Sequence, residues 1–148
     1  MDDIYFEDVI PGTLLRAGPY VIPEQEVMTF AAAWDPLPIH IDKAYAASHG
    51  GLTSPGVYLL AVKLRLVHSL PFQKTVIASV GYDEVRFLKP VHPGEALSLE
   101  LEWTGKRRSQ SKPDRGIVTG RYSLIDGTGE VVLSHLDTIL MRLRDPNV

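Results

Sequence analysis

Cysteine is absent from the whole sequence of 148 residues, which excludes a disulfide framework, a thiolate nucleophile and a cysteine-ligated zinc. Long apolar runs are also missing. None approaches the roughly 18 residues of a membrane span, and the start, MDDIYFEDVIPG, is acidic where a secretion signal would be basic. Positive charge is not in excess either: 15 Lys and Arg against 18 Asp and Glu give a formal net charge of −3, a poor balance for holding a phosphate backbone. The expectation is a soluble, unexported, cytoplasmic protein that binds neither nucleic acid nor membrane.

Repeats of fixed period, low-complexity tracts and a Pro/Gly/Ser linker are lacking as well, so residues 1–148 read as one domain. A chain of this length buries roughly two-thirds of the surface that its unfolded form exposes, and needs no staple. Helix signals dominate up to about Leu70 and strand signals from about Lys74 onward.

Thr13 to Val21 reads as an opening strand. Pro23-Glu24-Gln25-Glu26 then places proline and acidic groups in the first turn of a helix ending near Trp34. Asp42 is the natural N-cap of a short helix through Ser48, stopped by Gly50-Gly51. Within the stretch from Ser54 to Pro71, the run from Val57 to Val67 is apolar on nearly every side apart from Lys63 and Arg65. The stretch predicts a buried helix of about sixteen residues, roughly 24 Å long.

In the second half, Leu97 to Thr104 alternates strictly between apolar and polar residues, the mark of a strand with one covered face. Ile77 to Leu88 precedes it, closed by Lys89-Pro90-Val91-His92-Pro93-Gly94. Gly116 to Ile125 and Val131 to Arg144 follow, joined through Asp126-Gly127-Thr128-Gly129 as a hairpin. The pattern predicts an α+β protein, an antiparallel meander of about five strands wrapped around one long central helix, the arrangement called a hot-dog fold.

Two stretches carry candidate chemistry. In AWDPLPIHID, Pro36 and Pro38 stiffen the tether between Asp35 and His40. A carboxylate and an imidazole held together can bind and deprotonate a water, or they can be incidental residues of a turn. His40-x-Asp42 supplies two metal ligands and no third, so no metal is expected. The second stretch, GGLTSPG, leads into the buried helix. Its free backbone N–H groups can polarise an oxygen there, or Gly56 can be there for packing alone. His68, His92 and His135 read as structural. The basic run from Lys106 to Arg115 reads as a solvated loop between strands, or a phosphate site.

The order FAAAWDPLPIHID, GGLTSPGVYLLAVKLRLV, YDEVRFLKPVHPGEAL and SQSKPDRGIV resembles the MaoC-like dehydratase family, which includes the (R)-specific enoyl-CoA hydratases, over nearly the whole chain. The family signature is approximately G-D-x-N-P-[aliphatic]-H. Its Asp, Pro and His fall on Asp35, Pro38 and His40, whereas Trp34 and Leu37 stand in place of its Gly and Asn. The resemblance implies that Asp35 and His40 are a catalytic dyad that activates water for syn addition to a trans-2-enoyl thioester. It also implies that the Gly56 amide polarises the thioester carbonyl, with Pro55 where many relatives carry a histidine.

It implies, further, an acyl-CoA thioester as substrate, no cofactor beyond the coenzyme A of that substrate, and a homodimer or an assembly of dimers with sites at the interface. A non-catalytic acyl-thioester-binding subunit and a hot-dog thioesterase are the rival readings.

Overall fold

The computed structural model describes residues 2–147. Its sheet has five antiparallel strands: β1 (Leu14–Val21), β2 (Val76–Phe87), β3 (Ala96–Arg108), β4 (Arg115–Ile125) and β5 (Val131–Arg142). Four helices lie between β1 and β2: α1 (Glu24–Trp34), α2 (Pro38–Ile41), α3 (Lys43–Ala47) and α4 (Gly56–Val67).

Each helix begins where its sequence favours it. α1 follows Pro23 with Glu24 and Glu26 in the first turn, next to the positive end of the helix dipole. The Asp42 carboxylate caps α3 by accepting from the Tyr45 amide at 3.0 Å. Gly50 and Gly51, at φ of 91° and 98°, then turn the chain through the left-handed region that glycine tolerates.

α4 is the central helix, and it is shorter than the stretch from Ser54 to Pro71 predicts. Pro55 is extended at ψ 145°, so the helix starts at Gly56; it ends at His68, where the Ser69 hydroxyl donates to the Leu66 carbonyl. Twelve residues span roughly 18 Å. Nor is α4 buried on all sides. Tyr58, Leu59, Val62 and Leu66 enter the core with Leu97, Leu99 and Leu101 of β3, while Val57 and Leu64 remain exposed. Glu26 ties the layers together by accepting from Tyr20 of β1 at 2.7 Å and Tyr58 of α4 at 2.8 Å.

The strand order is β1-β3-β4-β5-β2. Only β3, β4 and β5 form a meander. β1 occupies the outer side of β3, and β2 therefore pairs with β5 at the opposite edge. The basic run is also not simply a loop: Lys106, Arg107 and Arg108 prolong β3 beyond the irregularity at Trp103/Gly105, and Arg115 opens β4. α4 packs on β1 and β3, leaving a seam on the side of β2. Among the described residues no helix is long and apolar enough to cross a membrane.

Candidate active site

Asp35 is the residue at which α1 stops. Pro36 disfavours helical geometry in the residue before it; Asp35 sits at φ −154°, ψ 71°, its amide still donating to the Ala31 carbonyl at 2.8 Å. Pro38 then opens the one-turn helix α2, a position suited to a residue without an N–H. His40 is the third residue of that turn. The stiff tether thus folds back, and His40 Nε2 lies 3.5 Å from Asp35 Oδ2.

The other ring nitrogen determines what that approach means. His40 Nδ1 is 2.6 Å from the Thr53 carbonyl oxygen, which can only accept, so Nδ1 carries a proton and donates. In neutral His40 the lone pair of Nε2 then faces the Asp35 carboxylate: two acceptors lie 3.5 Å apart with no hydrogen of their own between them. A water donating one hydrogen to each satisfies both. If Nε2 takes that proton, the imidazolium is held beside the carboxylate. His40 is 7% exposed, while Asp35 opens to solvent.

Asp35 lines a cleft of about 530 Å³ together with Thr53, Ser54 and Gly56 on one side and Phe87 and Lys89 on the other. Gly56 is the first residue of α4, so its N–H belongs to the turn that lacks intrahelical acceptors. No larger residue fits there undisturbed: a Cβ on Gly56 would lie 2.6–2.8 Å from three atoms of the Phe87 ring. Lys89 is committed elsewhere, donating to Asp126 at 2.7 Å and Glu130 at 2.8 Å, and these carboxylates hold its ammonium well above the usual lysine range.

The fold therefore brings Asp35 into contact with His40 and puts Asp35 and Gly56 on one cleft. Trp34 and Leu37, which replace the signature's Gly and Asn, are 75% and 53% exposed and do not line the cleft. His92 is held by its Nδ1 on the Leu52 carbonyl at 2.7 Å, and His68 caps α4. His135 is fully buried between Tyr82 and Tyr122, with ring centroids at 4.3 and 5.3 Å.

Two residues of the cleft escaped the sequence reading. Thr53 fixes the His40 tautomer through a backbone oxygen, for which no side-chain pattern exists. Ser54 has a buried hydroxyl without a hydrogen-bond partner, beside Gly56. Its place in GGLTSPG was the only available signal.

An antiparallel sheet around a central helix defines a hot-dog protein, and in it the Asp35 carboxylate, paired with His40, shares one cleft with a helix N-terminus. The particular family follows from comparison: residues 6–124 match the MaoC like domain, and the chain belongs to that family. It is 29% identical over 144 residues to mesaconyl-CoA hydratase of Cereibacter sphaeroides, covering 95% of this chain and 42% of that protein.

It is likewise 29% identical to β-methylmalyl-CoA dehydratase of Chloroflexus aurantiacus, over 97% of this chain and 41% of the relative. The chain thus spans less than half the length of these two relatives. Among solved structures, the MaoC-like dehydratase from Rhodospirillum rubrum superposes with a TM-score of 0.88 at 29% identity, covering 96% of this chain and 99% of that one.

Proposed function

We propose that the chain is a hydratase/dehydratase that adds water reversibly to a 2-enoyl thioester of coenzyme A, giving the 3-hydroxyacyl thioester. The observation that carries this reading is the pair of facing acceptors, Asp35 Oδ2 and His40 Nε2, 3.5 Å apart, of which Asp35 lines a cleft that also holds the N-terminus of α4. The names of the two relatives, a CoA hydratase and a CoA dehydratase, supply the class of substrate.

In the hydration direction the thioester oxygen accepts from the Gly56 amide. That interaction strengthens as negative charge moves onto the oxygen, so it favours the transition state over bound substrate. Asp35 and His40 hold the water. Its oxygen bonds to C3, one of its protons is taken by the dyad, and C2 receives a proton from the same pair, so both additions occur on one face. Dehydration reverses each step. The only cofactor chemistry the reading calls for is the coenzyme A carried by the substrate, and the working unit is a homodimer.

The test follows the enoyl absorbance of crotonyl-CoA and longer 2-enoyl-CoAs on adding the protein. The expected result is hydration, with Asp35→Asn and His40→Ala each lowering kcat by about 10²–10⁴ while circular dichroism and thermal unfolding stay near wild type. Full activity in both variants would refute the dyad. Release of free thiol from saturated acyl-CoAs, without hydration, would make the protein a thioesterase instead.

A further inference from the structure

Two turns along α4 from the Asp35 cleft, the seam between α4 and β2 opens again into a cavity of about 250 Å³. Gly56 and Lys63 are seven residues apart on α4, so they share a helix face and are separated by about 10 Å along its axis. Most of the cavity wall is hydrocarbon, from Leu64, Val67, Phe72 and Ile139. Its polar groups are Lys63 from α4, Ser79 and Tyr82 from β2, Tyr122 from β4 and Asp137 from β5, with His68 and Gln73 beyond the end of α4; of these, Lys63 and Asp137 are the charged pair.

Lys63 is 1% exposed. Its Nζ donates to Tyr82 Oη at 2.8 Å and lies over the Tyr82 and Tyr122 rings, 4.1 and 5.2 Å from their centroids. An ammonium has three N–H donors, and only one of these meets an oxygen. Asp137, 6% exposed, accepts from the Ser79 hydroxyl at 2.6 Å and makes no direct ion pair with Lys63. His135, stacked against the rings of Tyr82 and Tyr122, has an Nε2 with no partner. A mostly apolar cavity thus carries a cation with spare donors and an anion with spare acceptor capacity, held apart.

We propose that this cavity reads the far end of the substrate's acyl group, and that Lys63 and Asp137 together select a terminal hydroxyl over a methyl or a carboxylate. The inference rests on the acyl-thioester reading of the Asp35 cleft, from which the roughly 10 Å along α4 to Lys63 is within the length of an acyl chain of about eight carbons. The two opposite charges nearly cancel, so the cavity favours a neutral group. A hydroxyl accepts from Lys63 while donating to Asp137. A carboxylate suits Lys63 but is set against Asp137, and a methyl offers no partner to the spare donors of Lys63 or the spare acceptor positions of Asp137.

Binding of saturated thioesters tests this without turnover. Calorimetry on the purified protein compares ω-hydroxyoctanoyl-CoA, octanoyl-CoA and ω-carboxyheptanoyl-CoA. The hydroxylated thioester is expected to bind about tenfold tighter than either of the others, and Lys63→Met and Asp137→Asn should each bring it level with octanoyl-CoA. Asp137→Asn keeps the shape of the side chain and serves alone should Lys63→Met fail to fold. Equal binding of hydroxylated and plain thioesters by the wild type would leave the cavity a water-filled void and overturn the inference, as would tightest binding of the carboxylate.

The hydration assay separates the two readings. A hydroxyl preference in a protein that hydrates no enoyl-CoA refutes only the catalysis, whereas hydration with no such preference refutes only the role of Lys63 and Asp137.

Discussion

At Lys63 an ammonium is kept almost entirely out of water, opposed only by Asp137 at a distance and by the faces of two tyrosines. Burial, partly offset by Asp137, brings its pKa down to about 8 from an ordinary 10.5. Because the folded value lies below the unfolded one, the unfolded chain holds this proton more tightly between those limits, and stability rises with pH across that window. Below about pH 8 the full cost is present, on the order of 3 kcal/mol. Lys63→Met should therefore be more stable than wild type by about 1–3 kcal/mol at pH 7, less whatever Tyr82 loses with its donor, and the advantage should shrink by pH 10. Urea unfolding of both proteins at the two pH values checks this; an advantage that does not change with pH would mean that Lys63 is not the group responsible. A residue that costs the fold this much has a natural explanation in ligand recognition, where stability is commonly given up for function.

Among the elements, α4 and β2 approach each other closely at one point of the site, where the Phe87 ring lies over Gly56. In Gly56→Ala the new methyl collides with that ring, but Phe87 is about half exposed and can swing outward, and alanine is the better helix former by about 1 kcal/mol. Thermal unfolding should thus change little. The methyl and the displaced ring fill the mouth of the cleft, so kcat/KM on crotonyl-CoA should fall at least about tenfold; pairing the change with Phe87→Ala should relieve the clash without restoring the approach to the amide.

The elements themselves were largely legible. Alternation marks β3, acidic and proline residues mark the start of α1, and Asp42 marks α3. Strand order was not, because β1 and β2 are placed by long-range pairing that leaves no local pattern. The same division holds for the site. Asp35 and His40 stand on one short tether and could be suspected together from their types. Thr53 acts through its backbone, and Lys63 and Asp137 meet only because α4 and β5 fold onto the same cavity.

For the whole molecule, both outer strands have register breaks, three of them in β2, and they differ in proline content and in exposed apolar surface. β1 carries Pro19, which has no N–H to offer, within a register break between Ala17 and Tyr20. β2 pairs with β5 on one side only, and Val80 and Phe87, with Leu88 just beyond, are 64%, 53% and 57% exposed. Val57 and Leu64 of α4 add to the same exposed seam. Asp83, Glu84 and Arg86 are exposed on the same strand, but an unpaired edge beside this apolar patch still invites pairing with another chain, and a two-fold axis lets β2 of one copy pair antiparallel with β2 of the next. Sedimentation should accordingly give twice the chain mass of 16.4 kDa. Val80→Lys, which places a charge on that edge, should shift the protein toward monomer. Since Phe87 belongs to the cleft and Leu64 to the neighbouring cavity, the monomeric variant should lose hydratase activity out of proportion to any loss of stability. A wild-type protein that sediments as a monomer, or a monomeric Val80→Lys with full activity, would show that one copy forms a complete site by itself.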